Sequence, residues 1–159
     1  MLARWSLPSK GRRQQKIKKR EVITLNCIKN VANMTSNGHY SIAVVHNDLI
    51  FVSGILAINP ETNAKQFGTV EEETLIVLKN LKLILESSGS DIKQVLKTTI
   101  YIPDISMWDI VNKVYSNFFG DHMPARSIVP TKNLHFDFKI EIEAVAAIKK
   151  LNHAGTRTS

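Results

Sequence analysis

One cysteine, Cys27, stands in a chain of 159 residues, so an intrachain disulfide framework and the usual two-to-four-cysteine zinc sites are excluded. A reducing compartment is consistent with that. The five histidines, His39, His46, His122, His135 and His153, match no HExxH or similar ligand spacing, so no metal is expected. No apolar run approaches the ~18 to 20 residues needed to cross a bilayer, and no membrane span is expected. Acidic residues are missing from the first 20 positions, which carry eight Lys/Arg and too few consecutive apolar residues for a secretory signal.

What is present is a composition suited to one packed domain, with 43% hydrophobic, 7% aromatic and 22% charged residues. The net charge of +7 suggests nucleic acid until its distribution is read. Residues 1–30 hold nine Lys/Arg against Glu21 alone, whereas residues 31–159 hold 12 basic and 13 acidic residues. The basic character therefore belongs to an N-terminal extension, residues 1–21. With Arg4, Ser6, Ser9, Arg12 and Arg13 it resembles a mitochondrial transit peptide, while the Lys16 to Arg20 cluster looks more like a nuclear or nucleic-acid-binding tract. Mitochondrial or cytoplasmic residence is the expectation, and residues 151–159 read as a C-terminal tail.

Between these ends the sequence alternates strands and helices. The run LIFVSGIL, Leu49 to Leu56, lies between Asn47-Asp48 and Asn59-Pro60 and reads as a strand. Gly54 inside it marks a bulge or a close approach to the backbone. A helix is predicted from about Val70 to Ser88, with Thr69 and Glu72 at capping-box spacing, Leu75, Leu78, Leu81 or Lys82, and Leu85 on one face, and Gly89 as its stop. Val95 to Ile102 is rich in β-branched residues and ends at Pro103, as a strand would. A second amphipathic helix is predicted from near Ser106, with Asp109 at capping-box spacing, to Gly120. A short strand around Arg126 to Val129 and a longer one from Lys139 to Lys150 complete the pattern. In the last, Ile140, Ile142 and Ala144 face one way and Glu141, Glu143 and Val145 the other. With an initial hairpin from about Val22 to Val45, the order gives an α/β (α+β) two-layer sandwich with both helices on one face of the sheet. Its uncovered face must be buried by further strands or by other subunits.

Four stretches, HYSIAV (39–44), FVSGIL (51–56), VNKVYSNFFGDHMPARS (111–127) and IEIEAVA (140–146), together resemble the YjgF/RidA family over roughly residues 22–150. The resemblance implies a chorismate-mutase-like fold with a mixed sheet, a homotrimer with sites between subunits, and hydrolysis of 2-imino acids to 2-oxo acids and ammonia without a cofactor. Such chemistry needs a carboxylate clamp, for which arginine's planar fork is suited, and a carboxylate to orient and deprotonate water. By resemblance Arg126 is the clamp and Glu141 the water-positioning residue. Glu143 shares its strand face, and for it a solvent-facing polar position is the plainer reading. The resemblance also places Tyr40, Ser53, Gly54, Asn112 and the backbone of Ile128 at the substrate.

The chain departs from the family at His39, Ile42, Ile55 and Ile128, where proline, glutamine, glutamine and cysteine are usual. These changes leave Arg126 and Glu141 in place and bear on substrate preference, since isoleucines in place of amides make a pocket more apolar wherever they line it. Two other readings stay open: a trimer that senses a carboxylate metabolite without turnover, and an RNA-directed function resting on the basic extension. The near-neutral remainder and the lack of interleaved aromatics beyond Trp5 make nucleic acid the weaker expectation.

Overall fold

The computed structural model describes residues 25–36 and 38–149. The expectations for the basic extension and the C-terminal tail lie outside them. Eight strands and two α-helices follow in the order β1 (Leu25–Ile28), β2 (Asn30–Val31), β3 (Met34–Thr35), β4 (Ala43–His46), β5 (Leu49–Ile55), α1 (Val70–Ser87), β6 (Val95–Ile102), α2 (Trp108–Phe119), β7 (Ala125–Pro130) and β8 (Glu141–Ala147). Six strands form one sheet in the order β1-β4-β5-β8-β6-β7; β6 and β7 run parallel and the other pairs antiparallel. The short β2–β3 hairpin stands apart. Among the described residues no helix is long and apolar enough to cross a membrane.

Helix α1 begins where local chemistry says it should. The Thr69 side chain accepts from Glu72 N–H and the Glu72 carboxylate accepts from Thr69 N–H, which satisfies two otherwise orphaned donors. Its end is a Schellman motif: Gly89 at φ +80° donates to Glu86 O and Ser90 N–H to Leu85 O. The buried stripe runs through Val77, Leu78, Leu81, Ile84 and Leu85. Each large aliphatic side chain so buried contributes about 1.5–3 kcal/mol, and Leu81→Ala would cost about 2–5 kcal/mol. Leu75 is the exception to the expected face. It is 38% exposed because the stripe is centred on Val77 and Leu81, and Leu75 falls at its edge beside Val114 and Phe118 of α2.

The start of α2 also differs from expectation. Ser106 is not its cap; Asp104 accepts from Ser106 N–H and opens a 3-10 turn at Ile105–Met107, and α2 continues from it without a side-chain cap of its own. An aspartate immediately after Pro103 can turn the chain two residues sooner than a serine within the turn. Gly120, at φ +58°, ends the helix as anticipated. Strand β8 is shorter than its β-branched and acidic text suggested, beginning at Glu141 because Lys139 is drawn out of the ladder towards α1.

That diversion is caused by Glu73, a fully buried carboxylate on α1. It accepts from Lys139 N–H at 2.7 Å, from Lys139 Nζ at 3.0 Å and from Gly68 N–H at 3.2 Å. A buried charge is tolerable when paired and hydrogen-bonded on this scale. The result is a fixed distance between the N-terminus of α1 and the first residues of β8. Both helices cover one sheet face, around a core that includes Ile50, Val52, Ile100, Ile142 and Ala146. The opposite face leaves Phe51 44% and Leu96 49% exposed, as the two-layer pattern required.

Candidate functional site

Strand β5 carries an irregularity that sets the site's geometry. Val52 pairs with Ala144 and Ile55 with Ile142, so Ser53 and Gly54 together oppose Glu143 alone, a bulge. Ser53 Oγ donates to Ser41 O at 2.8 Å and ties the bulge to the segment before β4. At Gly54 the bare backbone receives the Glu141 side chain: a Cβ there would collide with Glu141 Oε1 and lie 2.8 Å from its Cδ. The glycine makes room for the Glu141 carboxylate in its present position, while its torsion angles do not call for one.

Glu141 is half-buried. Burial pushes its carboxyl above the usual carboxylate range, neighbouring Glu143 pushes it further, and His135 partly opposes them. Glu143 does not stand free in solvent, since it accepts from Tyr101 Oη at 3.2 Å. A carboxylate placed and perturbed in this way is suited to take a proton from water.

Gly54 and Ser53 border a cavity of about 300 Å³, with Tyr40 on its outer side and Ile42 and Ile55 in its wall. His135 and Phe136 complete the rim. Phe136 and Asp137 take left-handed backbone, φ +59° and +60°. Such torsions in a bulky residue persist only where the surroundings hold them. Here Lys65 Nζ sits 3.4 Å above the Phe136 ring, and Phe138 packs against it edge-on. No sequence signal marks His135 or Phe136, because neither belongs to a periodic element.

Arg126 lies elsewhere. On β7 it pairs with Thr98 of β6, which is buried and shares a 2.9 Å hydrogen bond with Tyr115 Oη of α2. Arg126 therefore projects to the helix side, where its Nη2 donates to Asn112 Oδ1 at 2.8 Å and its guanidinium lies 4.6 Å from the Tyr115 ring and 5.9 Å from the Trp108 ring. Pro124 and Met123, 88% exposed, border the same recess. Ile128, two residues on, pairs with Ile100 and packs on the core with its backbone at the sheet edge. Glu141 pairs instead with Tyr101, on β8 two strands in from Arg126 and on the alternate, open side. One chain thus brings Tyr40, Ser53, Gly54 and Glu141 together, and separately Asn112, Arg126 and Ile128, but not the two groups with each other.

Comparison with known proteins bears on what the groups do. The sequence model of the family described as Endoribonuclease L-PSP matches residues 30–148. The chain is 41% identical over 111 residues to Reactive Intermediate Deaminase A, chloroplastic, of Arabidopsis thaliana, covering 70% of this chain and 59% of that one. It is 38% identical over 109 residues to the human 2-iminobutanoate/2-iminopropanoate deaminase, 69% of this chain and 80% of that one. Its fold is similar to that of E. coli TdcF with bound serine, with TM-score 0.71, 29% identity, and coverage of 78% and 99%.

Proposed function

This chain belongs to the YjgF/RidA family, that of the Endoribonuclease L-PSP model, and from that premise we propose that it is an imine deaminase, hydrolysing 2-imino acids to 2-oxo acids and ammonia at a site assembled between copies of the chain. The observation that carries the reading is Glu141, a half-buried carboxylate with a raised pKa, seated on a glycine bulge at the mouth of a cavity.

In the reaction Arg126 holds the substrate carboxylate through paired N–H bonds, with Asn112 fixing the guanidinium and Tyr115 and Trp108 beneath and beside it. Glu141 of a neighbouring copy takes a proton from water as its oxygen attacks the imine carbon. Glu141 passes that proton to nitrogen, giving a tetrahedral carbinolamine; the carboxylate then takes the carbinolamine hydroxyl proton and delivers it to the same nitrogen as the C–N bond breaks, so that C=O forms and ammonia leaves. Tyr40, Ser53 and Gly54 line the water side, and the backbone of Ile128 lies on the arginine side. Two groups on opposite sheet faces of one chain meet only across an interface, and the exposed apolar open face supplies the area for one. A homotrimer closes such a ring of heterologous contacts with three identical sites.

The charge balance of residues 31–159, 12 basic against 13 acidic, favours a small carboxylate over a polyanion. The mitochondrion or the cytoplasm is the compartment we propose, on the acid-free basic segment at positions 1–20. The test is release of ammonia and 2-oxo acid from imines generated in place by an amino acid oxidase. Acceleration by the intact protein that vanishes in Arg126→Ala, with the oligomer preserved, is the expected outcome. Tight binding of 2-oxo acids without acceleration would leave a sensor instead.

A further inference from the structure

We infer that the cavity behind Gly54 is a side-chain pocket that selects 2-imino acids with a large apolar substituent, of leucine or phenylalanine size, over the alanine-derived imine. The inference rests on the reading that the site receives a 2-imino acid. With the carboxylate on Arg126 and the imine carbon facing Glu141, the substituent is the one part of the substrate left without a place. Gly54 joins the two regions, since the space its missing Cβ leaves is taken by the Glu141 carboxylate and the same residue borders the cavity.

The cavity wall is apolar. Met34, Ile42, Ile55, Leu56, Ile58 and Ile84 line it, and Met34, Ile42, Ile55 and Ile84 are otherwise buried in the core. Two of the polar groups on the wall are already engaged within the chain: Ser53 Oγ donates to Ser41 O, and Thr35 Oγ1 accepts from Asn63 Nδ2. Apolar matter entering here leaves those hydrogen bonds intact. A methyl substituent would fill little of the 300 Å³, leaving room for several waters at about 30 Å³ each with few partners. An isobutyl or benzyl group displaces such poorly bound water, which favours binding. Ile42 and Ile55 are central to this, because an amide at either position would give that water partners.

The experiment compares binding of pyruvate, 4-methyl-2-oxopentanoate and phenylpyruvate by calorimetry, in the full chain and in Thr35→Trp and Ile42→Gln, alongside turnover of the matching imines. Thr35 is exposed on β3, where an aromatic residue is well accommodated, so Thr35→Trp fills the cavity from its rim with no core residue replaced, at the loss of the bond from Asn63 Nδ2. The larger acids should bind about tenfold or more tightly than pyruvate, from about fourfold per buried carbon reduced by partial burial. That ratio should fall towards one in Thr35→Trp, and also in Ile42→Gln if that variant folds. Equal affinities in the unaltered protein, or a ratio unmoved by Thr35→Trp, would overturn the pocket. Size preference in binding with no turnover of any imine would support the pocket and remove the deaminase reading alone.

Discussion

Replacing Gly54 by alanine separates chemistry from folding at a single methyl group. The added Cβ would overlap Glu141 Oε1, sit 2.8 Å from Cδ and 3.2 Å from Cγ. Three successive atoms are affected, so rotating the carboxylate plane does not relieve the contact and the side chain must change rotamer nearer its root. Those atoms are the far end of a flexible side chain and Gly54 is not in left-handed backbone, so accommodation should cost only about 0.5–1.5 kcal/mol of stability. The carboxylate, however, leaves the position from which the proposed mechanism has it take a proton from water. General-base catalysis is worth about 10²–10⁴ in rate, so Gly54→Ala should lower kcat by at least about a hundredfold. Glu141→Gln should do the same with no loss of stability, and the double variant should be no worse than the single ones, since both remove one function. Imine hydrolysis would be followed by ammonia release and folding by thermal denaturation. Near-normal turnover in Gly54→Ala, or multiplicative losses in the double variant, would refute the assignment of Glu141.

Other outcomes follow from the same geometry. In the proposed role Glu141 acts as the carboxylate, and its pKa is raised, first by burial and then by Glu143, so the rate should climb with pH through that raised value; Glu143→Gln should move the climb to lower pH and His135→Gln to higher pH, read from kcat against pH. The linked stability has the opposite sense: a carboxyl that holds its proton more tightly when folded favours the folded state below its unfolded pKa, and this is lost as pH rises through the folded value, as melting temperatures against pH would show. Arg126→Lys keeps the charge but loses the fork and its bond to Asn112, so KM should rise about tenfold or more in steady-state assays. Glu73→Ala leaves Lys139 and two backbone N–H groups without their acceptor, and should cost about 3 kcal/mol in denaturant unfolding.

Much of the framework was legible because it is written in local chemistry. The capping box at Thr69 and Glu72, the Schellman glycine at Gly89, and the β-branched run of β6 act within a few residues, and each stands where the sequence put it. Gly54 was legible as a position of close approach, though not what approaches it, since Glu141 is brought there by strand pairing across 87 positions of sequence. Period-two alternation put Glu141 and Glu143 on one face and could go no further; the bulge and the Tyr101 hydroxyl tell them apart. The face of α1 was misplaced at Leu75 because a four-leucine spacing competes with the stripe through Val77 and Ile84. His135 and Phe136 left no trace in sequence, for their place on the cavity rim depends on a left-handed turn held by Lys65 and Phe138.

Arg126 and Glu141 lie on opposite sides of the sheet, so a lesion at either leaves the other half of the chain's equipment sound. With the site between copies proposed above, a cell carrying one allele damaged at Arg126 and another at Glu141 would form mixed assemblies that pair a sound arginine from one product with a sound glutamate from the other. The two alleles, each null alone, would then complement one another, and inheritance of such defects would depend on which half each one strikes.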